Sequence, residues 1–166
     1  DNKSFSNQLN SLSKKIFDLT YEYLNIDKQF RYELALAAKL YPSGNSVHFY
    51  SQNKHAYYLI QSALEYGFTH QSITLIATLI KYTRNKLPAE SHLQKYEILL
   101  PQKLTTNALS YILSLSIALL SHRPLNLDFK LDFINGVLYI KSDNDLYLSQ
   151  NAIKKIECEQ SFSVQF

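Results

Sequence analysis

The residues best equipped for chemistry lie between His48 and Lys86. His48, Lys54 and His55 open an apolar stretch that closes at Gly67-Phe68-Thr69, and Lys81, Arg84 and Lys86 follow the next one. Lysine and arginine carry permanent positive charge, arginine in a planar fork that grips an oxyanion through two parallel hydrogen bonds. Imidazole adds a charge that depends on pH. Such a set suits contact with an anion at a helical corner. The plainer reading of the same residues is structural: His55 donates to a backbone carbonyl at the corner, and the cations meet the negative end of a helix dipole.

The other candidates point elsewhere. His70, His92 and His122 have no spacing that suggests a metal site and read as surface or cap residues. Asp143-Asn144-Asp145 matches a calcium loop at three positions but lacks its glycine and distal glutamate, so a turn is expected. Tyr57, Tyr58 and Tyr82 suit either a stacking platform for RNA bases or core positions with hydroxyls at the rim. Cys158 is the only cysteine, which excludes an internal disulfide and a cysteine metal cage and fits a reducing cytoplasm. A net charge of +3 is too small to demand nucleic acid. Neither a signal peptide nor an uncharged apolar run long enough for a membrane span is expected. The chain has no Met and opens on Asp1, as a piece of a longer protein would.

Periodicity supplies the elements that must position these residues. Phe5, Leu9, Leu12, Ile16, Leu19 and Tyr23 form one helical stripe, and a second helix over 28–40 buries Phe30, Leu34, Ala37 and Ala38 before Pro42 and Gly44. A third helix covers 51–66. Thr69 caps a fourth over 70–82 whose apolar residues lie almost all round, as in the centre of a bundle. A short helix is expected over 91–99, and Thr105 or Thr106 caps a long one to His122 with Leu109, Ile112, Leu113, Ser116 or Ile117, and Leu120 inward. After Pro124 the period drops to two. Leu125, Leu127, Phe129, Leu131 and Phe133 read as a strand, Asn135-Gly136 as a hairpin turn and Val137 to Ile140 as the partner strand. A helix over 150–157 and a strand over 162–166 follow. The expected fold is mostly α, a bundle of five or six helices over 1–124, with a small α+β appendage over 125–166.

Three blocks carry a family resemblance: His55-Ala56-Tyr57-Tyr58-Leu59-Ile60, then Gly67-Phe68, then Ile76-Ala77-Thr78-Leu79-Ile80-Lys81-Tyr82-Thr83-Arg84-Asn85-Lys86. Their order and approximate spacing resemble the C-terminal helical domain of the Ppx/GppA family, the exopolyphosphatases and guanosine pentaphosphate phosphohydrolases. The resemblance implies an HD-like bundle, after the phosphohydrolases named for a His-Asp metal pair. Aligned on Gly44, that pair falls on Tyr41 and Pro42, neither a good ligand, and Thr83 stands where relatives carry another histidine.

The resemblance implies an accessory domain with no catalytic or metal-binding residue of its own. Upstream actin-like domains of the same chain would perform the hydrolysis with a divalent cation such as magnesium. The expected ligand is polyphosphate or a guanosine pentaphosphate-type substrate, gripped by His48, Lys54, His55, Lys81, Arg84 and Lys86. A homodimer contact is implied too, with no nucleic acid and no membrane. Two alternatives stand beside it: a residual metal-dependent nucleotide phosphohydrolase using His48, His55 and Glu65, and a purely structural dimerisation module.

Overall fold

Leu9, Leu12, Ile16 and Phe17 are buried along one side of α1 (Asn2–Thr20), and each such side chain contributes roughly 1.5–3 kcal/mol by leaving water. The computed structural model describes residues 2–41, 67–83, 87–121, 129–156 and 161–166. After α1 the chain closes on Asn25, in the left-handed region at φ 55°. The Ile26 N–H reaches the Tyr21 carbonyl at 3.0 Å and the Asn25 N–H reaches that of Glu22 at 3.1 Å, a Schellman closure with Ile26 buried beneath it. Two stripe positions depart from expectation. Leu19 is 39% exposed and Tyr23 59%, because Phe17 and Thr20 take the inward direction and Tyr23 falls within the closing turn.

Asp27 accepts from the Gln29 N–H at 3.0 Å and leads into α2 (Phe30–Leu40), which buries Leu34, Ala37 and Ala38. Asn10 Nδ2 donates to the Ala35 carbonyl at 2.8 Å and Arg31 grips Asp18 with two hydrogen bonds, so α1 and α2 are clamped together. Next come α3 (His70–Lys81), α4 (Glu90–Lys95) and α5 (Lys103–Ser121). Helix α1 packs on α2 and α5, and α3 packs on both α2 and α5. The third predicted helix, over 51–66, lies outside the described residues.

Helix α5 begins two residues before the predicted cap at Thr105. The Thr106 hydroxyl bonds back to the Pro101 carbonyl at 3.3 Å inside the helix, so it caps nothing. Its burial is wider than the single face expected, since every residue from Ala108 to Leu120 is buried. The window Lys103–Leu120 is long and apolar enough to cross a membrane, against the sequence expectation, and 78% of it is buried inside the protein, as in a core helix.

The tail follows its alternation. Strand β1 (Lys130–Ile134) pairs antiparallel with β2 (Val137–Lys141), with Leu131, Phe133, Leu138 and Ile140 turned inward. Asn135 and Gly136 both have positive φ, at 51° and 78°, as a two-residue type I′ hairpin requires. Helix α6 (Tyr147–Lys154) then crosses over to β3 (Ser163–Gln165), which lies parallel to β2 at the edge of the three-stranded sheet. It starts three residues earlier than predicted because Asp145 Oδ1 accepts from the Tyr147 N–H at 2.9 Å. The architecture is therefore mostly α with a small α+β part. Tyr111 of α5 meets Phe162 edge-on at 5.0 Å and Ser149 of α6 reaches the Leu119 carbonyl at 3.4 Å, so the tail's apolar face continues the helical core.

Candidate functional site

Helix α3 is fixed at its start and carries its charge at its end. Thr69 accepts from the Ser72 N–H at 3.0 Å, as a good N-cap should, and Ser72 Oγ donates to Glu33 of α2 at 3.0 Å. Ile73, Leu75, Ile76, Ala77, Leu79 and Ile80 are buried, which fixes the rotation of the helix and leaves Lys81 exposed in its last turn. There the ammonium lies 5.4 Å from the centre of the Tyr82 ring, within cation–π range.

Pro88 and α4 bring His92 back against this turn. The imidazole is only 6% exposed, which corrects its expected place on the surface. Its Nε2 stands 2.8 Å from Thr78 Oγ1, and that hydroxyl donates its only proton to the Thr74 carbonyl at 2.6 Å. The hydroxyl can therefore only accept, so Nε2 carries the imidazole proton. Tyr82 meets the ring at 5.1 Å and Tyr96 at 4.7 Å, and Lys95 lies over Tyr96 as Lys81 lies over Tyr82. Burial first, then the charges of Lys81 and Lys95, push the His92 pKa down to about 4, so the ring is neutral at pH 7.

Of the residues singled out from sequence, Lys81, Tyr82 and His92 are at this corner, Tyr82 packed against the His92 ring. His48, Lys54, His55, Arg84 and Lys86 lie outside the described residues, as do Pro42, Glu65, Tyr57, Tyr58 and His122. His70 is exposed at the start of α3. Tyr41 and Thr83, the positions aligned with lost metal ligands, do not fit a divalent ion. Tyr41 is a core side chain at 2% exposure, and Thr83, at 4%, donates its hydroxyl to the Ile80 carbonyl at 3.1 Å. The residues whose role sequence reading missed are Thr78, His92, Lys95 and Tyr96. The spacing of His92, Leu93 and Tyr96 after Pro88 was the available signal, because one side of a short helix carries all three.

The sequence matches the family description Ppx/GppA phosphatase, domain III, over residues 2–157. The chain belongs to the Ppx/GppA phosphatase family. No curated protein matches it. As a Ppx/GppA domain III it is an accessory domain, and the designation implies further domains in the same parent chain. Within this domain III, the end of α3 is where cationic residues converge on one buried group.

Proposed function

We propose that this Ppx/GppA domain III, non-catalytic by itself, extends the path along which its parent phosphatase holds polyphosphate or a guanosine pentaphosphate-type substrate, and that it contributes to dimer contacts. The carrying observation is His92. Lys81 and Lys95 lie over Tyr82 and Tyr96, and both rings meet the His92 imidazole, so the two cations share one small patch where α3 and α4 end. In sequence, Arg84 and Lys86 follow Lys81 directly and extend the run, with His48, Lys54 and His55 on the preceding segment.

A phosphate chain binds such a patch by Coulomb attraction, and several weak sites in series hold a long polyanion without one tight site. Hydrolysis belongs to actin-like domains elsewhere in the parent chain, with a divalent cation such as magnesium. A cytoplasmic setting accords with the lone Cys158. Polyphosphate should bind this chain weakly, with affinity falling as salt rises and after Lys81→Gln and Arg84→Gln together. Undetectable or salt-independent binding removes the path. Light scattering with and without polyphosphate separates assembly from ligand binding.

A further inference from the structure

The tail carries a second pair of cations, and they flank a cleft. In the β1–β2 register Lys130 stands directly opposite Lys141 on the outward face of the hairpin. Like charges at a cross-strand position repel, and such a pair usually has a carboxylate close by. Among the described residues neither tail lysine forms an ion pair, although Asp132 shares their face of the hairpin and Asp143 and Asp145 line the cleft beside them. Both line a cleft of about 500 Å³, together with Asp143, Asn144, Gln150 and Phe166. Such a volume accommodates a small metabolite.

The lining of the cleft combines two chemistries. Lys130 and Lys141 offer ammonium donors. Asp145 Oδ1 is engaged in starting α6, the Asn144 N–H bonds Ser142 Oγ at 3.2 Å and so holds the turn, and Asp143 and Gln150 add acceptors to the same lining. Two adjacent cations match a phosphate monoester, which carries about −1.5 to −2 charge at neutral pH, better than a carboxylate with one. A carboxylate and an amide in the same lining match hydroxyl groups. We propose that this cleft binds a small hydroxylated phosphate monoester, with its phosphate between Lys130 and Lys141 and its hydroxyls against Asp143 and Gln150.

The inference does not depend on the path at α3. Ribose 5-phosphate, ribose and inorganic phosphate are titrated against the chain by calorimetry, and the residues perturbed are mapped by NMR. Saturable binding of ribose 5-phosphate is expected, tighter than inorganic phosphate and absent for ribose. Lys130→Gln and Lys141→Gln should each weaken it about tenfold, the loss of one charged hydrogen bond, with the thermal midpoint the same or slightly raised. Lys81→Gln should leave it intact, which separates this cleft from the proposed polyphosphate path. No saturable binding, inorganic phosphate binding as tightly as the ester, or affinity indifferent to both lysine substitutions would each overturn it.

Discussion

At the end of α3, Lys81 and Lys95 lie over tyrosine rings that close on a buried imidazole, whereas on the hairpin Lys130 and Lys141 face each other across an exposed ladder. Each place concentrates two positive charges. At α3 the charge is felt inside the fold, because His92 sits in a medium that screens poorly and is held neutral partly by those lysines. On the hairpin, water and salt screen the lysines, and their repulsion acts mainly on each other. Placing cations over a buried titratable group ties ligand electrostatics to folding stability, and placing them on a sheet face leaves stability almost untouched.

The largest break in that comparison is His92→Ala. It empties the space between Tyr82 and Tyr96 and removes the tie between α4 and Thr78, so urea unfolding should show a loss of about 3 kcal/mol. The pH dependence sharpens it. An unfolded histidine titrates near 6.5 and His92 in the fold at about 4, so the unfolded chain takes up the proton first. Its contribution to stability is intact above pH 6.5 and is lost as pH falls from 6.5 toward 4, amounting to about 3 kcal/mol at most. His92→Phe should flatten this part of the curve. An unchanged slope would mean that the ring titrates normally.

On the hairpin side the largest effect belongs to the turn. A Cβ on Gly136 would stand 2.6 Å from the Tyr23 hydroxyl, and φ of 78° disfavours any side chain there. Gly136→Ala should cost about 1–2 kcal/mol, and part of this should return when Tyr23→Ala is added. Thermal melts of the single and double variants measure both. A smaller effect is expected from Lys130→Glu, which converts a repulsive cross-strand pair into an attractive one and should stabilise the chain by about 0.5 kcal/mol. Destabilisation instead would show that the lysines are not in contact range.

The hairpin and α3 were legible in the sequence because local chemistry decides them. Asn135-Gly136 meets the dihedral demand of a two-residue turn, Thr69 offers a capping hydroxyl, and the run from Ile73 to Ile80 leaves no polar face. Helix α5 was read too narrowly, since Ser110 and Ser114 look like a solvated side and are both buried. His92 was read as surface because a polar residue in a six-residue helix offers no period to follow. Its partners Thr78 and Tyr82 are distant in sequence, and only the packing of α4 on α3 brings them together. The Lys130–Lys141 pair lay within reach of the hairpin turn, because a two-residue loop at Asn135-Gly136 sets Ile134 opposite Val137 and therefore Lys130 opposite Lys141.

The smallest effect bears most directly on the comparison. Lys81→Gln removes one of the two charges that lower the His92 pKa and leaves the burial in place, so the pKa should rise but stay below its ordinary value. Burial is the larger cause, and no single lysine can restore a solvent-like imidazole. Lys130→Gln on the hairpin should leave the same resonance where it was. An NMR titration of the His92 ring protons in the three proteins reads all of this at once. If Lys81→Gln moves the midpoint upward and Lys130→Gln does not, the α3 charge is coupled to the core and the hairpin charge is not. If neither moves it, the Lys81 ammonium is screened as fully as a surface group, and the distinction between the two lysine pairs disappears.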